Sequence, residues 1–140
     1  MKDIYKHSKI LLVEDDTDDQ EFFLEAIKQL SSSLECDIAS NGREALNYIV
    51  LPPLPSIIFL DINMPVMDGF ECLEHLKKSR LHKHIPIIIY TTSISEQDKE
   101  KAISMGADGF LSKPALLQVL KNRIDEFLRT DYLMPHLAHL

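Results

Sequence analysis

Ile57-Ile58-Phe59-Leu60-Asp61-Ile62-Asn63-Met64-Pro65 decides how this chain folds. Four large apolar residues in succession fit a strand buried on both faces, and the run stops at a carboxylate followed by a turn with proline. Asp61 therefore stands at the mouth of that strand. In an open α/β sheet, ligands bind in the crevice beyond the carboxyl ends of the strands, where the connecting loops diverge. A lone aspartate there is equally well explained as the cap of its own loop. Its meaning depends on what the flanking sequence brings to the same rim.

Upstream, Ile10-Leu11-Leu12-Val13 repeats the doubly buried pattern and runs straight into Glu14-Asp15-Asp16. Thr17 and Gln20 fit a capping box, with Asp18 and Asp19 in the first turn, where the helix dipole favours negative charge. That helix is expected to reach Leu30 with Phe22, Phe23, Ala26, Ile27 and Leu30 on its inner face. The segment Leu34–Ala39 alternates apolar with polar, as a half-exposed edge strand does. Asn41-Gly42 turns into a short helix through Ala45, Leu46, Ile49 and Val50, stopped by Pro52-Pro53-Leu54-Pro55.

Downstream, Phe70, Leu73 and Leu76 mark a third helix, and Pro86 introduces the strand Ile87-Ile88-Ile89-Tyr90, which ends in Thr91-Thr92-Ser93. Ser95 and Asp98 cap a fourth helix containing Ala102, Ile103 and Met105 and closed by Gly106. Gly109-Phe110-Leu111-Ser112 reads as a fifth strand ended by Lys113-Pro114. Pro114 fits the first position of a last helix with Leu117, Leu120, Ile124 and Phe127 inward. Five strands alternating with five helices imply an α/β fold, a doubly wound parallel sheet with helices on both faces. Residues 1–8 form a lead and 9–129 one domain. The tail, 130–140, carries Tyr132, Leu133, Met134, Leu137 and Leu140, enough apolar surface to dock on the domain or on a partner.

A chain of 140 residues suffices for one domain with a full core. Its net charge of -7 argues against a nucleic-acid surface, which needs clustered Lys and Arg. Cys36 and Cys72 form no paired motif, so neither a disulfide framework nor a zinc site is expected. His82 and His84 sit in a polar loop without metal-ligand spacing. The longest apolar runs are four residues and the start lacks an apolar signal region, which excludes a spanning helix or cleaved signal and leaves the cytoplasm as default.

In a parallel sheet, residues that close successive strands gather along one rim. Here they are Glu14 and Asp15, then Asp61, Thr91 and Lys113. Clustered carboxylates repel unless they share a cation. An all-oxygen, highly charged set selects a hard ion, and Mg²⁺ suits one that retains waters. Lys113 adds a fixed positive point for an anion. An acid nucleophile, Mg²⁺, an ammonium and a hydroxyl together fit phosphoryl transfer.

The set Glu14-Asp15, Asp61, Thr91 and Lys113-Pro114, with Leu60-Asp61-Ile62-Asn63-Met64-Pro65 continuing to Met67-Asp68-Gly69, resembles the receiver (response regulator) domain of bacterial two-component signalling. The resemblance covers roughly Lys9 to Leu128 and points to the stand-alone type. It implies a flavodoxin-like sheet of order 2-1-3-4-5 and a phosphoprotein whose aspartyl phosphate forms on Asp61, supplied by a histidine kinase or histidine phosphotransfer protein. It implies that Asp15 binds Mg²⁺ directly, Glu14 through water, and that Asp61 and the backbone carbonyl of Asn63 complete the metal set. Lys113 would pair with Asp61 at rest and with a phosphate oxygen afterwards. Thr91 would swing its hydroxyl to the phosphate, and Phe110 would move into the vacated space. Readout would lie on the face of the fourth helix, fifth strand and fifth helix, toward a downstream protein or a second copy.

The same resemblance makes the chain no enzyme beyond its own phosphoryl transfer and autodephosphorylation, and gives it neither nucleic acid nor membrane as partner. Several positions vary from or within the family pattern. Phe110 lacks the hydroxyl of the alternative Tyr, Thr92 replaces a small residue beside Asp61, and Ala115 replaces a larger apolar one. Asn63 and Ser93 hold neutral side chains where the phosphate lifetime is tuned. Two other readings stand beside this one. An aspartate-nucleophile phosphatase would need a second acid where Asn63 stands, and a receiver-like scaffold would bind without phosphorylation.

Overall fold

Strands and helices alternate without interruption along the chain: β1 (Lys9–Val13), α1 (Thr17–Leu30), β2 (Glu35–Ala39), α2 (Gly42–Tyr48), β3 (Ile57–Leu60), α3 (Gly69–Lys78), β4 (Ile87–Thr91), α4 (Glu96–Ser104), β5 (Gly109–Ser112) and α5 (Leu117–Arg129). The computed structural model describes residues 4–92 and 95–132. All strand pairings are parallel and the sheet order is β2-β1-β3-β4-β5. The reversal of direction between β1 and β3 is the switch point at which such sheets open a crevice.

Period-two alternation sorts the strand residues into two cores. Leu11, Val13, Ile58, Leu60, Ile87 and Ile89 face one side, where they meet Ala45, Cys72, Leu73, Leu76 and Ala102 from α2, α3 and α4. Ile10, Leu12, Ile57, Phe59, Ile88 and Tyr90 face the other, against Phe23, Ala26, Ile27, Leu120, Ile124 and Leu128 from α1 and α5. Phe23 packs edge-on to Phe59 at 5.1 Å between centroids, locking α1 over β3. In β2 only Ala39 is buried, Glu35 is exposed and Cys36, Asp37 and Ile38 are half-buried, as expected of an edge strand.

Four details depart from the sequence reading. The α1 cap is Asp16, whose carboxylate accepts from the amides of Asp18 and Asp19 at 2.8 and 3.3 Å, so Thr17 is already helical. A carboxylate is a strong acceptor at the positive end of the dipole and takes that place from the hydroxyl. Pro114 lies in the loop before α5, which starts at Leu117 with Leu116 as an N-cap that makes no side-chain bond. The buried residues of α5 are Leu120, Ile124 and Leu128, four apart on one stripe, leaving Leu117 and Phe127 partly exposed. Finally, α2 ends at Tyr48 with Ile49 as C-cap, which leaves Val50 exposed.

Both ends of the described chain are tied to the domain. The amides of Lys6 and His7 donate to Leu128 O, and the Tyr5 hydroxyl donates to Asp125 at 2.8 Å. The Tyr132 hydroxyl donates to Phe127 O while its ring meets that of His7 at 5.3 Å. Leu133, Met134, Leu137 and Leu140 of the tail, and Ser93, lie outside the described residues.

Candidate functional site

Strand register assembles the rim. Val13 pairs with Leu60 across β1 and β3, so Glu14 and Asp61 leave the sheet side by side, with the Asp61 amide on Val13 O at 3.1 Å. Thr91 pairs with Ser112 across β4 and β5, and the Lys113 amide donates to Thr91 O at 2.8 Å. The expected residues Glu14, Asp15, Asp61, Thr91 and Lys113 therefore converge on one edge of the sheet. Among the described residues, Glu14, Asp61 and Thr91 are the buried polar side chains of the domain, all three at this rim. Burial of polar groups that add nothing to a core marks where chemistry is to be sought.

Lys113 holds the acids together. Its ammonium lies 2.5 Å from Glu14 Oε1, 2.8 Å from Asp19 Oδ2 and 3.1 Å from Asp61 Oδ2, and the ring of Tyr90 lies beneath it with its centroid at 5.4 Å. Burial would lower the Lys113 pKa, but hydrogen bonds to Asp19 and Glu14 and the charge of Asp61 outweigh it and raise it. Glu14 is raised as well, which for a carboxyl favours the neutral form. Burial, reinforced by the Asp61 charge, pushes its carboxyl up to about 7 even though Lys113 and the Asp16 amide favour the ionised form. Its Oε2 accepts from the Asp16 amide at 3.1 Å. Its Oε1 is fully buried, and the Lys113 ammonium at 2.5 Å is its ion-pair contact.

That buried oxygen, with room for more than one cationic partner, bears on whether a metal ion fits. One carboxylate oxygen each from Glu14, Asp15 and Asp61 lie within 4.8 Å of one another, and Asp15 is exposed and open to solvent. Three acids around a half-open position suit a hard divalent ion that keeps waters, and the group of carboxylates exceeds the single ammonium in charge. The residues present fit a metal.

The loop after β3 shapes the surroundings of Asp61. The Asn63 amide donates to Asp61 Oδ1 at 3.2 Å, which fixes the carboxylate's orientation. Val66 adopts φ +67°, and the Met67 amide closes onto Pro65 O at 2.7 Å, a three-residue turn in which a β-branched side chain is strained. Asp68 then caps α3 through the Glu71 amide, and Gly69 lies against the backbone of Asp61 and Ile62 so closely that an added Cβ would meet Asp61 O at 2.3 Å. Phe110 is half-buried on β5, with Lys99 Nζ 5.6 Å from its ring centre. Thr92, beside Thr91, is exposed at the mouth.

Sequence reasoning missed two members of this rim. Asp19 was assigned only to the helix dipole, yet it reaches Lys113; the signal was its place one turn into the helix that springs directly from the acidic strand end. Tyr90 belongs to the opposite core by alternation, but its ring extends beneath the lysine. Among the described residues no helix is long and apolar enough to cross a membrane.

Comparison with known proteins agrees with this geometry. The family model described as the response regulator receiver domain matches residues 10–125. The probable methanogenesis regulatory protein FilR2 of Methanothrix harundinacea is 32% identical over 122 residues, covering 84% of this chain and 79% of that protein. Other curated relatives are longer, and this chain spans between 7% and 56% of their length. The crystal structure of the phosphorylated cyanobacterial phytochrome response regulator RcpA superposes with a TM-score of 0.79 at 32% identity, over 87% of this chain and 94% of that one. The Mn²⁺-bound form of response regulator Rcp1 gives 0.79 at 28% identity, over 87% and 95%. Matched over most of its length and carrying the acids and amine on one rim, this chain belongs to the response regulator receiver domain family.

Proposed function

We propose that this domain, which we bound at residues 9–129, accepts a phosphoryl group on Asp61 from a phosphohistidine of a kinase or phosphotransfer protein. The observation that carries the reading is the junction of Asp61 with Glu14 and Asp15 on one side and Lys113 on the other. An Asp61 carboxylate oxygen attacks phosphorus in line, the N–P bond breaks, and the imidazole leaves with the bonding pair and takes up a proton from solvent. The Asn63 amide holds the carboxylate in aim, and Lys113 follows the charge onto the phosphoryl oxygens. Mg²⁺ is the ion we assign: Asp15, Asp61 and the Asn63 carbonyl would hold it, with Glu14 acting through water, and when bound it would neutralise charge on the transferring group. The Mn²⁺-bound relative and the phosphorylated relative support both halves of this assignment.

Once formed, the phosphoryl group offers three acceptor oxygens that Thr91 and Lys113 capture. Thr91 closes β4 ahead of the loop to α4, and Phe110 lies on the neighbouring strand, so the movement passes to the α4-β5-α5 face, where a downstream protein or a second copy binds. We read the domain as a switch and not a turnover enzyme: Asn63 stands where an aspartate-nucleophile phosphatase needs its acid. Free thiols at Cys36 and Cys72, and a donor charged by ATP, accord with the cytoplasm. The test is nuclear magnetic resonance of the protein titrated with beryllofluoride and Mg²⁺. Amide shifts should appear at Asp61, Thr91, Phe110 and Lys113 and spread over α4-β5-α5; shifts confined to the rim would refute the switch, and no shifts would refute the acceptor.

A further inference from the structure

We infer that Asp19 is a positioning residue that holds back Lys113, keeping the phosphorylated state of the domain less favourable than the rim alone would make it. The inference rests on the phospho-acceptor reading and adds to it a residue outside the acceptor, metal and switch set. Lysine has three N–H donors and no more. At rest they face three carboxylates, and the contact to Asp19, 2.8 Å, is shorter than the contact to the acceptor Asp61, 3.1 Å. The two partners pull in different directions along the chain: Asp61 closes β3, whereas Asp19 stands in the first turn of α1. Asp16 fixes that turn by binding the amides of Asp18 and Asp19, and the Tyr90 ring supports the ammonium from below.

When an anionic group joins Asp61, its oxygens need the donors and charge of Lys113. Asp19 keeps one donor and adds a negative charge near the incoming group. It does not belong to the carboxylates grouped tightly enough to share a metal, which are Glu14, Asp15 and Asp61. Its charge therefore attracts a divalent ion only from a distance while opposing the anion through the shared lysine. Neutralising it should tighten the anion without tightening the cation, a split that a loosened or misfolded site cannot produce.

The experiment compares the parent with Asp19→Asn and with Asp18→Asn, an exposed first-turn acid that carries the same charge and dipole change. Mg²⁺ affinity is measured alone, and beryllofluoride affinity at saturating Mg²⁺. Asp19→Asn should bind beryllofluoride about threefold to fivefold more tightly, the range of a half-exposed ion pair, and Mg²⁺ no more tightly than the parent. Asp18→Asn should match the parent for beryllofluoride. Equal beryllofluoride affinity in Asp19→Asn and the parent, or weaker binding of both ligands, overturns the role of Asp19 while leaving the acceptor reading intact. A parent that binds no beryllofluoride in Mg²⁺ overturns both.

Discussion

Replacing Gly69 with alanine tests whether the loop that carries Asp61 is held by backbone contact. A Cβ built on Gly69 would lie 2.3 Å from Asp61 O, 2.6 Å from Ile62 Cα and 3.0 Å from Asp61 C. Carbon normally approaches other heavy atoms to about 3.5 Å, so the loop or the start of α3 must yield by about 1 Å. All three obstacles are main-chain atoms, and no rotamer change relieves them. Overpacking of this kind costs about 1–3 kcal/mol, against at most about 1 kcal/mol that alanine returns through helix propensity. Net destabilisation of up to about 2 kcal/mol follows, by the difference of those ranges. The displaced atoms belong to Asp61 itself, and a misplacement of about 1 Å at a reacting group can lower its rate by about a hundredfold. The assays are urea unfolding and the rate of labelling by acetyl phosphate in Mg²⁺. Gly109→Ala serves as the comparison: its Cβ would meet the Phe127 ring edge and Ile88 Cδ1 at 2.9 and 3.1 Å, side-chain ends away from Asp61, so stability should fall while labelling persists. A Gly69→Ala protein as stable as the parent and labelled at the parent's rate would refute the reasoning.

Other perturbations follow from single contacts. Val66→Gly should raise stability by about 0.5–1 kcal/mol in urea unfolding, because relief of a left-handed β-branched residue exceeds glycine's entropy cost; a loss of stability would contradict the strained turn. Asp16→Ala removes the acceptor for two amides and should cost about 1 kcal/mol, read by the same method. Glu14, raised in the fold from 4.5 to about 7, keeps its proton where the unfolded chain releases it. Its contribution is therefore full below pH 4.5 and lost as pH rises through about 7, on the order of 3 kcal/mol in all, measured as the difference between the parent and Glu14→Gln without Mg²⁺. Because the ion competes with that proton, Mg²⁺ should stabilise the parent more at pH 7 than at pH 5 in the same unfolding series; the reverse trend would place the ion elsewhere.

Much of this was legible in the chain because strands buried on both faces are nearly pure apolar runs, and a charge at the end of such a run is conspicuous. Ile10–Val13 and Ile57–Leu60 each declare a strand and its mouth in the same breath, and parallel pairing then fixes which residues meet. Side-chain reach is what linear reading does not supply. Asp19 touches Lys113 across 94 positions of sequence only because α1 rises directly over the rim. The competition between Asp16 and Thr17 for the cap turned on two bonds that differ by one residue of register. The position of Pro114 shows the same limit: its ring suits a first helical turn, but α5 begins later, at Leu117, on a stripe set by Leu120, Ile124 and Leu128.

The central claim concerns one covalent bond and its need for a divalent ion. Incubation with acetyl phosphate, followed by reductive trapping and peptide mapping, should place a single phosphoryl group on Asp61 with Mg²⁺ present, and none when the ion is chelated. Phosphate found on another residue, or equal labelling of Asp61 in chelator, would contradict it.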